Sequence, residues 1–337
     1  MNHRPGFGHP ESHKRLEVIY AMLEEPDMAE GYIEVPVRRA SEDELLLIHS
    51  SEYVSFVAST EGQEYRSLDP DTTTSAGSYE AALLAAGGLC EAISMVISGE
   101  LDNAFALVRP PGHHAERGRG MGFCLFNNVA VGARYAQEYH GLKRVLVIDW
   151  DLHHGNGTQH SFEEDPSILY FSTHQYPYYP GTGAYDQTGR GKGEGYTVNV
   201  PLSTGYGDGE YLGIFEGILK PVVLEFDPEL ILVSAGFDIY EADPLGGMRV
   251  TPGGFAALTR SIMEMADECC AGKMVITLEG GYHLGGLRDS VKTVLRELAG
   301  ITKTGKEDIL SQGNRPALDH AVAQVSRIHG KFWKNLK

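Results

Sequence analysis

Asp149, Asp151 and His153 stand two residues apart at the end of the segment VLVIDWDLHHGNG, which runs from Val145 to Gly157. Val145, Leu146, Val147 and Ile148 form a short apolar run suited to a buried strand. Strand side chains alternate faces with period two, so an extended continuation puts both carboxylates and the imidazole on one side. Burying charge is costly unless it is paired or bound to a metal. A solvated Asp/His-rich loop is the plain alternative, and the apolar lead-in argues against it by anchoring the cluster at the core. Asp151 and His153 therefore read as metal ligands. A third must come from another strand end, and Asp238 is the best candidate. Three protein ligands leave a position open for water and substrate, where zinc lowers the pKa of water toward ~7 and polarises a carbonyl. Two carboxylates and one imidazole are a harder donor set than a Cys-rich zinc site, so iron(II) and manganese stay open.

Other polar residues fit around such an ion. His113 and His114 follow Pro-Pro-Gly and, beside a metal, read as acid and base. Each imidazole needs an orienting partner. Asp149 suits His113, and Asn156 suits His114; the amide carries no charge, so His114 is less favoured as a cation. Tyr282 follows Gly280 and Gly281, whose lack of a side chain permits close approach and unusual backbone angles. Its phenol, opposite a metal, would stabilise a tetrahedral oxyanion. Phe123 and Tyr179 lie in glycine-bearing loops and suit the walls of a narrow slot.

The elements that must position these groups alternate. Apolar runs at Ala104–Val108, Val145–Ile148, Ile168–Phe171, Leu230–Val233 and Met274–Leu278 read as buried strands. Helical patterns lie at Ser78–Ser98, Asn127–Tyr139, Gly209–Glu225 and Pro252–Ala271, the last with Thr251 as cap and Pro252 at the first helical position. Ser41 and Glu44 form a capping box. This alternation predicts a parallel sheet with helices on both faces. All five runs lead into polar loops, and open parallel sheets place their sites outside the carboxyl ends of the strands.

Bulk properties narrow the function. The chain has 337 residues, 42% apolar and 22% charged, as a soluble globular protein does. A net charge of −18 speaks against nucleic-acid binding and favours cationic partners. Four cysteines, Cys90, Cys124, Cys269 and Cys270, include no C-x-x-C pair and suggest no disulfide framework. The start carries no apolar signal segment, and no run reads as approaching the ~18 apolar residues of a membrane span. A cytoplasmic protein without a membrane partner is the expectation.

The motifs RPPGHHA (Arg109–Ala115), GFCLFNN (Gly122–Asn128), VIDWDLHHGNGTQ (Val147–Gln159), PGTG (Pro180–Gly183), GFD (Gly236–Asp238), DPLGG (Asp243–Gly247) and EGGYHL (Glu279–Leu284) resemble, in order and spacing, the histone deacetylase superfamily. The resemblance runs from about Arg15 to about Glu297 and extends to bacterial deacetylase-like amidohydrolases and acetylpolyamine amidohydrolases. It implies a three-layer α/β/α, arginase/deacetylase-like fold around a central parallel sheet, here a single deacetylase domain over residues 1–337. It implies Asp151, His153 and Asp238 as zinc ligands, His114 as general base and acid, His113 as its electrostatic partner and Tyr282 as oxyanion stabiliser. Asp149 matches the carboxylate of the first Asp–His pair, and Asn156 the form found in class II-like members. Gly122 would accept the substrate amide N–H through its carbonyl, while Phe123 and Tyr179 sandwich lysyl-like methylenes. Phe is usual at the second wall, so Tyr179 departs from the pattern. A structural potassium ion is implied at Ser172 with backbone oxygens of Asp149, Asp151 and His153. Arg15 resembles an arginine lining an internal acetate channel. A rim carboxylate falls at Asp69 or Asp71. Leu245 occupies a position where polyamine-selective eukaryotic relatives carry glutamate, which favours acetyl-lysine peptides or proteins over acetylated small amines as partners.

Three competing readings remain at this level. A catalytically dead acetyl-lysine-binding module is disfavoured by the intact Tyr282, His114 and ligand set. An arginase-type dimetal hydrolase would need further carboxylates. An oligomeric scaffold would make the activity incidental, and a homo-oligomeric state is left open.

Overall fold

Apolar residues divide cleanly between the two faces of the strands. The computed structural model describes residues 1–28 and 31–336. Two short strands, β1 (Arg66–Ser67) and β2 (Thr73–Thr74), pair antiparallel. The remaining six are β3 (Asn103–Ala106), β4 (Val145–Asp149), β5 (Ile168–Gln175), β6 (Thr197–Leu202), β7 (Leu230–Ala235) and β8 (Met274–Leu278). They form one sheet in the order β3-β8-β7-β4-β5-β6, with every neighbouring pair parallel. Val145, Val147, Ile168, Tyr170, Leu230 and Leu232 pack on one face against helices Ser78–Ser98 and Asn128–His140. Leu146, Ile148, Leu169, Phe171, Ile231 and Val233 pack on the other against the helical stretch from Asp208 to Phe226, Pro252–Cys270 and Leu284–Leu298. The period of two thus supplies both inner layers, and the result is the expected three-layer α/β/α architecture.

Helix ends follow their chemistry. The Ser41 capping box forms, with Glu44 N–H donating to Ser41 Oγ (3.2 Å) and Ser41 N–H to Glu44 Oε2 (2.7 Å). Asn127 lies just outside its helix as the cap, its side chain accepting from Ala130 N–H. Thr251 caps the helix that opens with Pro252, and Ala271 ends it in a left-handed turn.

Several boundaries differ from the sequence reading. β5 runs on to Gln175, so Ser172 and His174 lie within a strand rather than a loop. β3 starts at Asn103 and stops at Ala106. Strand β6 was not expected; Asn199 and Pro201 interrupt its apolar run, and Pro is tolerated because β6 is the sheet's edge. The stretch read as one helix over Gly209–Glu225 contains a wider π turn at Phe215–Leu219. Pro221 follows it and lacks the N–H that would return to Gly217, so the helix widens there.

One bulk expectation needs correcting. Ser78–Ser98 is long and apolar enough to cross a bilayer by length and composition, with mean hydropathy 1.8. Only Glu80 and Glu91 are charged in it. Its small and apolar residues, Ala82, Ala86, Leu89, Ile93 and Val96 among them, are buried against the sheet and the helix Asn128–His140. Its hydropathy is that of a helix packed into the core on one face of the sheet.

Candidate active site

The carboxyl ends of β4, β7 and β8 lie side by side, and register aligns Asp149 with Ser172 of β5 and Ser234 of β7. Beyond β4, Trp150 and Leu152 keep to the face of Leu146 and Ile148, so Asp151 and His153 project with Asp149 as the alternation predicts. One donor atom each from Asp151, His153 and Asp238 falls within 4.8 Å of the others. His153 Nδ1 is 3.1 Å from Asp151 Oδ1 and 3.2 Å from Asp238 Oδ2. Asp238 Oδ1 accepts from Leu152 N–H (2.9 Å), and Asp151 Oδ2 from Gly280 N–H (2.9 Å). Asp238 Oδ2 is fully buried and receives no hydrogen bond. Burial and the neighbouring Asp151 charge push the Asp238 carboxyl up to about 7. A buried oxygen without a donor, facing a second carboxylate and an imidazole, is a donor set that fits a divalent cation.

The glycines around this cluster hold space. A Cβ at Gly280 would lie 2.2 Å from Asp238 Oδ2 and 2.6 Å from Asp151 Oδ2. A Cβ at Gly122 would lie 2.3 Å from the His114 ring, and Gly122 has φ +56°.

The two histidines are distinguished by their partners. His113 Nδ1 lies 3.0 Å from Asp149 Oδ2, which also accepts from Tyr170 Oη (3.0 Å). Burial works against a charged His113, but Asp149, Asp151 and Glu279 more than offset it and raise its pKa to about 10. His114 Nδ1 lies 2.8 Å from Asn156 Oδ1. Burial, then the charges of His113 and His153, hold His114 well below the usual histidine range. The carboxylate beside one ring and the amide beside the other thus favour positive charge on His113 over His114.

A narrow cavity of about 80 Å³ leads to these groups, lined in part by Asp71, Gly122, Phe123, Tyr179, Leu245 and Tyr282. His113, His114 and His153 form its floor. Phe123 has φ +69°, a conformation that costs on the order of 1–3 kcal/mol for a bulky residue and is held here by the site loop. Its ring meets Tyr282 edge-on at 5.9 Å. Tyr179 stands edge-on to His114 at 5.1 Å, and its buried hydroxyl has no hydrogen-bond partner. Burial keeps the Tyr282 phenol protonated, its pKa well above the usual range, so it is a donor. Of the two rim candidates, Asp71 lines the cavity and Asp69 does not. Asp69 Oδ1 turns back to cap the N–H groups of Asp71 (2.9 Å) and Thr72 (3.1 Å). Asp71 Oδ1 accepts from Gly122 N–H (3.1 Å).

Ser172 Oγ lies 2.9 Å from His174 Nδ1, on the strand beside Asp149. Arg15 is fully buried beneath the Tyr282 loop, donating to the carbonyls of Gly281 (2.7 Å) and Glu279 (2.5 Å) and to Glu11 (3.1 Å). Its guanidinium lies 5.1 Å from the Tyr282 ring centre.

Two further acids shape the site without having been singled out from the sequence. Glu279 Oε2 accepts from Gly112 N–H (2.6 Å) and His113 N–H (3.2 Å), and Oε1 from Ser234 Oγ (2.9 Å). It fixes the loop that carries both histidines. Asp243 Oδ2 accepts from Tyr282 N–H (2.6 Å) and His283 N–H (3.0 Å), while Oδ1 accepts from Leu245 N–H (3.0 Å). It ties the phenol loop to the cavity wall. The available signal was position: both head glycine-bearing motifs after a strand.

Residues 9–298 match the model of the histone deacetylase domain. The chain is 38% identical over its whole length to a probable deacetylase of Archaeoglobus fulgidus, covering 97% of that protein. It is 41% identical to histone deacetylase 15 of Arabidopsis thaliana and 41% identical to the polyamine deacetylase HDAC10 of Danio rerio, spanning 59% and 49% of their lengths. The crystal structure of the HDA15 HD domain superposes with a TM-score of 0.91 at 40% identity, over 99% of this chain and 92% of that one. The chain belongs to the histone deacetylase family, hydrolases that cleave the amides of acetylated amines.

Proposed function

We propose that this chain, acting as one deacetylase domain, removes acetyl from acetyl-lysine in peptides or proteins by metal-dependent amide hydrolysis. The observation that carries this reading is the convergence, on one narrow slot, of a three-ligand cluster, a neutral imidazole and a protonated phenol. Asp151, His153 and Asp238 would hold the ion, zinc by resemblance with iron(II) as the alternative. Such an ion supplies Lewis acidity toward a carbonyl and a water of lowered pKa.

The remaining steps belong to side chains. With His114 Nδ1–H donated to Asn156, Nε2 is left as the base that takes the proton of the attacking water. Cationic His113, paired with Asp149, favours the negative charge that develops beside it. Tyr282 donates its phenol hydrogen to the former carbonyl oxygen. His114 then returns the proton to the amine nitrogen as the C–N bond breaks, and free amine and acetate leave. Phe123 and Tyr179 would flank the substrate methylenes, the Gly122 carbonyl would accept its amide N–H, and Asp71 would anchor its backbone at the rim. Arg15 would face the departing acetate.

A structural potassium ion is part of the same proposal. Among the described residues, the carbonyl oxygens of Asp151 and His153 accept no hydrogen bond in the turn they form, which suits oxygen ligation of a hard ion beside Ser172. All four cysteines are free, which supports the proposed cytoplasmic setting.

Acetylated polyamines and other small acyl amines are the alternative substrates, favoured by the similarity to a polyamine deacetylase. Leu245 tells against them, because it offers no charge to a distal ammonium at the cavity wall. Comparing acetate release from an acetyl-lysine peptide, acetylputrescine and acetylspermidine tests this. The peptide should lead by tenfold or more in kcat/KM. Leu245→Glu should move preference toward acetylspermidine by roughly tenfold, the worth of one charge-assisted hydrogen bond. A native preference for the polyamines would overturn the substrate while leaving the chemistry.

A further inference from the structure

The catalytic imidazole depends on an amide whose two faces differ. Asn156 can present Oδ1 or Nδ2 to His114 Nδ1, and the choice decides where the His114 proton sits. With Oδ1 toward the ring, Nδ1 carries the hydrogen and Nε2 is a base. With Nδ2 toward the ring, Nδ1 must accept, the hydrogen moves to Nε2, and the base is lost.

Glu116 stands on the far side of that amide. Its Oε1 accepts from Asn156 Nδ2 at 2.5 Å, and a flipped amide would set two acceptor oxygens against each other there. His160 holds the same carboxylate, with Nδ1 at 2.8 Å from Oε1 and 3.1 Å from Oε2. Asn156 and His160 are spaced i, i+4 on the helix Asn156–Phe162, so both side chains reach one carboxylate from the same face. The Glu116 backbone is itself pinned. Its carbonyl receives His49 Nδ1–H (2.9 Å), because His49 Nε2 is taken by Asn127 N–H (2.9 Å). Its N–H donates to Arg119 O (2.8 Å).

We propose that Glu116, braced by His160, is a positioning residue that locks the Asn156 amide face and thereby sets the base-competent tautomer of His114. The chain His114–Asn156–Glu116–His160 runs from the cavity floor to a partly exposed surface, where His160 and Glu116 keep 39% and 24% of their side-chain exposure. Neither Glu116 nor His160 lines the cavity, so their influence travels through Asn156.

The kinetic part of the test rests on the deacetylase reading; the spectroscopic part does not. In the zinc-loaded protein with 15N-labelled histidine, native His114 should show its hydrogen on Nδ1, and Glu116→Ala should move a measurable fraction to Nε2. On the acetyl-lysine peptide, Glu116→Ala should lower kcat by about 5- to 20-fold with KM within about twofold and metal content unchanged. Glu116→Gln, which still offers an oxygen to Asn156 Nδ2, should restore most of the loss. An Asn156→Asp background removes the amide and so the need for orientation. There, Glu116→Ala should cost less than about twofold, a strong departure from additivity. An unchanged tautomer in Glu116→Ala, or an equal loss in both backgrounds, would overturn the proposal. If the native protein turned over no acetyl-amine, the deacetylase reading would fail and the tautomer would still decide this one.

Discussion

Tyr282→Phe should bind metal as the native protein does and lose most of its turnover. The substitution removes one oxygen and leaves the ring, so the edge-on contact with Phe123 and the Arg15 contact beneath remain. The backbone stays tied to Asp243 through Tyr282 N–H. What disappears is a protonated phenol on the residue that lines the cavity beside His114 and His153. Removing a single donor to a developing oxyanion costs about 10²–10³ in kcat. KM should change far less, because the ground-state carbonyl takes a weaker hydrogen bond than the tetrahedral oxyanion does. Steady-state kinetics with metal analysis on the same sample checks both halves. Activity within a few-fold of native would assign oxyanion stabilisation elsewhere.

Asp238→Ala should strip the site. Two ligands, Asp151 and His153, would remain for an ion that needs at least three from the protein. Losing even an outer partner of a ligand costs roughly 10–100-fold in metal affinity, and losing a ligand should exceed that. The fold should survive. Leu152 N–H loses its acceptor, but the repulsion between Asp238 and Asp151 goes with it. Metal content by elemental analysis after dialysis, alongside circular dichroism, reads the result. Native occupancy in a folded variant would move the third ligand elsewhere.

These two outcomes depend on different parts of the sequence reading. The Asp149–Asp151–His153 alternation needed only strand periodicity and an apolar lead-in, and the structure keeps that alternation through Trp150 and Leu152. Asp238 was reachable because parallel strands end at one edge, and β7 lies directly beside β4. Contacts spanning large sequence separations were not reachable. Glu279 acts on Gly112 from 167 residues away, and Glu116 on Asn156 from 40. Position after a strand marks Glu279 but not its partners, and no local pattern distinguishes Glu116 from the other acidic residues of a chain with 46. The choice between Asp69 and Asp71 depended on a turn in which Asp69 caps its own backbone, a geometry that spacing alone leaves open. Strand β6 was missed because Asn199, which donates to Gln159 Oε1 (2.8 Å), is a buried polar residue within a strand.

The central claim is that hydrolysis runs through an ion held by Asp151, His153 and Asp238. Its most direct test is acetate release from an acetyl-lysine peptide by one preparation in three states: as purified, stripped by chelator, and reloaded with one equivalent of zinc or iron(II). Turnover that vanishes on stripping and returns with one equivalent is the predicted result. Turnover that survives complete stripping would contradict the account.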